Sequence, residues 1–152
     1  MTGGEIETFL YDGMKALVAS DQASESPMVS PALSGGVYYR GMRPMQNEQG
    51  ETGKEDIVVA VITGNAKQFQ NGSCVVNVYI PDTHTASGAW MRTKSRTDAV
   101  EAWAETLPKQ LSRCGDILFE KSGMVLTLQE EALHEHFVSL KMDFYLLNEN
   151  ID

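Results

Sequence analysis

Apolar and polar positions alternate most cleanly near the end of the chain, over residues 134–147, HEHFVSLKMDFYLL. Val138, Leu140, Met142, Phe144 and Leu146 fall on every second residue, with Ser139, Lys141, Asp143 and Tyr145 between them. Only a β-strand, whose side chains alternate between two faces, puts those five apolar groups on one side. Such a strand needs an apolar layer to cover it, and the pattern upstream supplies one. Thr2 with Glu5 three residues on forms a capping box that opens a helix through about Ala19. Ile6, Phe9, Leu10, Met14, Leu17 and Val18 share one face of it. Gly13 inside the helix costs roughly 1 kcal/mol relative to alanine, so backbone packing or fraying is expected there.

Residues 20–35 hold two prolines and five serines without any period and read as a long loop. A short strand follows over 37–42 (VYYRGM), ended by Arg43-Pro44, because proline cannot donate to a sheet ladder. Residues 46–56 form a second polar loop. The β-branched runs 57–63 (IVVAVIT) and 74–80 (CVVNVYI) read as two antiparallel strands with a long polar connection. A further loop spans 83–94. Ser95, with Asp98 three residues later, is expected to cap a second helix striped by Ala99, Val100, Trp103, Leu107 and Leu111, which Pro108 kinks or divides. Short strands are expected over 117–120 and 124–129 before the closing strand. This order predicts one α+β domain over residues 1–152: a mainly antiparallel β-sheet with two amphipathic helices packed on one face.

Composition narrows the function classes. The 152 residues carry a net charge of −9, which disfavours a surface gripping DNA or RNA through lysine and arginine. Acids outnumber bases in 1–33 and 119–152, whereas bases outnumber acids in 57–94. No apolar run approaches the ~20 residues needed to cross a bilayer, so no membrane association is expected. The opening MTGGEIETFL lacks a basic region followed by an apolar one, so it does not read as a secretory signal, and a cytoplasm is the expected compartment. There Cys74 and Cys114 are expected to stay reduced, with Cys74 packing as a small hydrophobe.

The candidate chemistry is sparse. His134 and His136, two apart on a strand, would share a face and could chelate a metal, but no CxxC or HExxH accompanies them. The reading is a solvated strand start, with no metal. Glu130, Glu131 and Glu135 at a turn read as solvated charge rather than as acid–base groups, whose pKa values only burial would tune. No glycine-rich phosphate loop and no nucleophile elbow is present, so neither catalytic residues nor a cofactor are expected. The stretch with Trp90, Met91, Arg92, Lys94 and Arg96 stands out as cationic and aromatic in an acidic chain. That is the composition of a protein–protein hot spot; the alternatives are that Trp90 folds back onto its own core and, weakly for one short patch against a charge of −9, that the stretch binds nucleic acid. Arg40 and Arg43 beside Pro44 offer a second cationic contact, and Met42, Met45 and Met91 lie near strand ends.

Over nearly its full length the chain resembles the small tail-terminator (tail-completion, or head–tail joining) proteins of long-tailed bacteriophages and prophages. The resemblance rests on the opening helix IETFLYDGMKALVAS, the strand VYYRGMRP, paired strands ending in VVNVYIPD, the helix TDAVEAWAETLPKQL and the closing strand HFVSLKMDFYLL. It implies self-association into a ring, typically a hexamer, that caps the tail tube protein and docks on the head–tail connector protein, with no catalytic residues. The departures are the long loops 20–35 and 83–94 and the polar 46–56 insertion, which leave another connector or baseplate component open. The rival class is a small-ligand-binding or enzymatic α+β domain using Arg40, Arg43 or the two histidines. An acidic ring lumen would let DNA pass without binding it, since like-charge fields reach over about a Debye length of ~10 Å.

Overall fold

The structure, a computed structural model, describes residues 2–45, 53–65, 71–112, 116–130 and 132–146. Its elements run α1 (Gly3–Ala23), β1 (Val37–Tyr39), β2 (Ile57–Asn65), β3 (Asn71–Pro81), β4 (Thr83–His84), β5 (Trp90–Met91), α2 (Lys94–Ala104), α3 (Leu107–Leu111), β6 (Ile117–Lys121), β7 (Leu126–Glu130) and β8 (Glu135–Leu146). This is the α+β architecture expected, and the alternating closing segment lies at its centre. β8 pairs antiparallel with β3 from Pro81↔Glu135 to Asn71↔Tyr145. Its other edge is shared by β7, at Leu126↔Ser139 to Glu130↔Glu135, and β6, at Ile117↔Leu146 to Lys121↔Met142. The sheet order is β1-β2-β3-β8-β6, with β7 also on β8.

Parity sorts the two faces of this sheet. Val138, Leu140, Met142, Phe144 and Leu146 are all buried, as are Cys74, Val76, Val78 and Ile80 beside them on β3. They form one core with Ile6, Leu10, Met14 and Val18 of α1 and with Val100, Trp103, Leu107 and Leu111 of α2 and α3. The helices therefore cover one face. The other face carries Asn77, Tyr79, Phe137, Ser139, Lys141 and Tyr145, and no described helix packs there.

Local chemistry explains the boundaries. Thr2 caps α1 by accepting the Glu5 N–H at 3.1 Å. The helix runs beyond Ala19 to Ala23, and the Asp21 carboxylate then accepts the Met28 N–H at 2.6 Å, which turns the chain into the following loop. Gly13 is a packing position, because a Cβ there would come within 2.9 Å of Leu111 Cδ2; the missing side chain lets α1 approach α3. β1 is shorter than the 37–42 pattern, since Gly41 at φ 82 turns the chain after Tyr39. It also runs parallel to β2, which makes the sheet mixed; a parallel pair requires the long connection found between them. β2 and β3 extend to Asn65 and Asn71 around a bulge between Val61 and Thr63, so the polar connection is shorter than expected.

The expected Ser95 cap is corrected. α2 begins at Lys94 with Thr93 as its N-cap, and no side chain caps it. The Thr93 hydroxyl instead contacts the Thr83 hydroxyl at 2.7 Å and donates to the Pro81 carbonyl at 3.3 Å. Asp98 pairs with Lys94 one turn earlier, at 2.7 Å. Pro108 divides the helical stretch as expected, standing in the first turn of α3, where its missing N–H costs nothing.

Cys74 is fully buried and free, and Cys114 lies outside the described residues. Burial, reinforced by the negative charge of Asp143, pushes the Cys74 thiol up to about 12. In a Cys114→Ser background, native protein at pH 8 should therefore resist an aromatic disulfide reagent until denaturant is added. The same raised pKa couples to stability. Because the unfolded thiol loses its proton first, this contribution is complete below about pH 9 and is lost as pH climbs toward 12. Urea midpoints measured across that window should fall, and Cys74→Ala should flatten the slope.

Candidate functional site

The end of the sheet where Pro81 of β3 pairs with Glu135 of β8 gathers the chain's unusual side chains. On the helix-free face, Arg43 reaches over the sheet with its side chain only 6% exposed. Its Nη1 and Nη2 donate to Glu135 Oε2 and Oε1 at 2.9 and 2.7 Å, and its Nε donates to Asp56 Oδ2 at 3.0 Å. The guanidinium lies 4.3 Å from the Tyr79 ring centroid, and that ring lies 5.2 Å from Phe137. Burial opposes the charge on Arg43, but its bonds to Glu135 and Asp56 outweigh this and raise its pKa. Burial also raises the Tyr79 phenol, against the pull of the Arg43 charge.

Asp56 completes the clamp. Its other oxygen accepts the Gly36 N–H at 3.1 Å, and Glu55 next to it accepts both Arg96 Nε and Nη2, at 2.5 and 2.8 Å. Gly35 is obligatory here, because a Cβ would collide with the Glu55 backbone and the Asp56 carboxylate. Adjacent acids thus tie the loop before β1, the Arg43 turn and α2 to the start of β2. Glu135, expected to be solvated, is instead buried, because the bidentate guanidinium compensates its charge. Glu130 is half-buried, and Glu131 lies outside the described residues.

Beyond the sheet end, the segment expected to be a plain loop over 83–94 contains a small hairpin arm. β4 and β5 pair at Thr83↔Met91 and His84↔Trp90. Thr85 closes the turn by donating N–H to Ala89 O at 2.8 Å, and Gly88 takes the positive φ of 87° that the turn needs. Trp90 does not return to the core. Its ring lies between two imidazoles, 4.3 Å from His84 and 4.3 Å from His134, with planes tilted by 6° and 13°. It remains 42% exposed, with Met91 at 58% beside it.

All three histidines of the chain therefore meet at this end, but not as a chelate. His134 stands before β8 at φ 47, and its carbonyl accepts the Asp82 N–H at 2.9 Å. His136 Nδ1 lies 2.6 Å from Asp82 Oδ1 instead. The shared strand face expected for His134 and His136 does not form, because His134 belongs to the turn. Among the described residues no group of three His, Cys, Asp or Glu could hold a metal.

The six cationic and aromatic candidates separate. Trp90, Met91, Arg92 and Lys94 cluster on or just after the arm, and Arg40 is exposed after β1. Arg43 is buried in the clamp, so its side chain serves the fold. Met42 and Met45 flank it, exposed at 67% and 50%. Sequence reasoning missed Asp56, Tyr79, Asp82 and His84, which acquire partners only through strand pairing. No described helix is long and apolar enough to cross a membrane. No protein-family model matches the chain, and no curated protein matches it.

Proposed function

We propose that this chain is a structural virion-assembly protein of the tail-terminator kind. It would form a ring, six-fold by resemblance, that caps the phage tail tube and joins it to the head connector. The observation that carries this reading is the β4–β5 arm. A ring is built by head-to-tail contacts between unlike surfaces, and a projecting hairpin supplies one of them. Trp90, braced between two rings, would lose little conformational freedom on docking, and tryptophan beside arginine is the make-up of an interface hot spot.

The element order supports the same reading, as does the net charge of −9, which suits a lumen that passes DNA without holding it. This role requires neither catalysis nor a cofactor, and its compartments are the bacterial cytoplasm during assembly and the virion tail afterwards. The rival enzymatic or ligand-binding reading relied on Arg40, Arg43 or the His134/His136 pair. It is less favoured because Arg43 grips Glu135 and Asp56 while the two histidines diverge.

The test is to mix the purified chain with the tail-tube subunit encoded in the same phage genome and image the tubes. Rings at tube ends and arrested growth are expected. Trp90→Ala should weaken capping by about tenfold or more while leaving the thermal midpoint nearly unchanged, since Trp90 lies outside the core. Tubes that grow and end identically with and without the chain would overturn the reading.

A further inference from the structure

The outer edge of β7 is the sticky part of this molecule. One side of the strand is paired with β8, and among the described residues no strand pairs with the other. Met124, Leu126 and Leu128 are 75%, 47% and 43% exposed. Leu126 and Leu128 lie opposite Ser139 and Phe137, so they extend the helix-free face to its rim. Natural sheets guard such edges with charges, prolines or bulges. The far side of this sheet is guarded in that way: β2 carries its bulge, and the Glu7 carboxylate accepts the Val61 N–H at 3.4 Å. From Met124 to Gln129 (MVLTLQ) β7 and its approach carry no charge and no proline.

The occupant is written in the strand. Two copies of a strand paired antiparallel about a two-fold axis present the same residues to each other, and here an axis at Thr127 sets leucine against leucine. We infer that β7 pairs antiparallel with β7 of a second copy, about a two-fold axis at Thr127, joining two sheets into one. In that register Leu126 faces Leu128 of the other copy, Thr127 faces Thr127, and Val125 faces Gln129. Cross-strand leucine pairs of this kind are stabilising, the Thr127 hydroxyl keeps its bond to Glu101 of α2, and Glu130 falls opposite Met124, so no charge meets a like charge. An axis at Leu128 would instead set Leu126 against Glu130. The contact is isologous and closes at two chains. It is therefore separate from the head-to-tail contacts of a ring and does not rest on the tail-terminator reading.

Sedimentation velocity and native mass spectrometry of the whole chain, from about 1 µM to 1 mM, test this directly; weak edge contacts fall in that range. A monomer–dimer equilibrium is expected as the first step of association. Leu128→Lys puts a charge on an exposed edge position and should weaken the dimer at least tenfold, roughly the effect natural edge lysines are placed to have. Circular dichroism checks that its fold is retained. Met28→Lys, exposed but off the strand, should leave association unchanged. In a Cys114→Ser background, Thr127→Cys should give a disulfide-linked dimer on mild oxidation, and Ser122→Cys should not. A chain that stays monomeric at 1 mM, or whose Leu128→Lys variant dimerises like the parent, overturns the inference. None of those results bears on tube capping, so the two proposals fail separately.

Discussion

Arg43→Ala is expected to cost about 3–5 kcal/mol of folding stability, the penalty for stranding buried charge rather than for losing one attraction. Glu135 and Asp56 are each 1% exposed, and the guanidinium supplies Glu135 with two hydrogen bonds and Asp56 with one. Removing it leaves two buried carboxylates without their cation and also forfeits the cation–π contact with Tyr79. Urea denaturation at pH 7 measures the loss. The double variant Arg43→Met with Glu135→Leu should recover most of it, because Asp56 keeps the Gly36 N–H and no orphan charge remains on β8. A loss under about 1 kcal/mol for Arg43→Ala would mean that the cluster is solvated, as exposed ion pairs are.

Phe144→Ala should be comparably severe, at about 3–5 kcal/mol, because a fully buried ring leaves a cavity that the sheet cannot collapse to fill. The surroundings are rigid: Phe144 Cζ would lie 2.7 Å from a Cβ placed at Gly72, and that Cβ would also collide with the Thr63 carbonyl. The comparison is with Lys141→Ala on the opposite face of the same strand, expected to stay within about 0.5 kcal/mol. Similar losses at both positions would contradict the one-sided burial of β8.

Wherever a signal was periodic and local, it was legible before folding. The every-second-residue pattern of β8, the helical stripe of α1 with its Thr2 cap, the hairpin strands β2 and β3 and the division at Pro108 all follow from side-chain geometry over a few residues. Ser95 misled because Ser-x-x-Asp looks like a cap, whereas Thr93, two residues earlier, starts the helix and turns its hydroxyl toward the Thr83 segment. Part of the site could be read as well. The cationic, aromatic character of the Trp90 segment was visible, but its hairpin was not, since two-residue strands leave no period to detect.

The chain's own order of residues determined that there would be a half-buried closing strand, amphipathic helices to cover it and an acidic surface without a catalytic motif. Only the tertiary structure decided that β1 runs parallel to β2, that Glu135 is buried beneath Arg43, and that the three histidines part into a ring stack around Trp90 and a pair with Asp82. The reason is distance along the chain. Periodicity acts between residues a few positions apart, whereas Arg43 and Glu135 stand 92 positions apart. What a charge or ring meets across such a gap is set by strand register and by the desolvation it must offset, and neither is written in any local window.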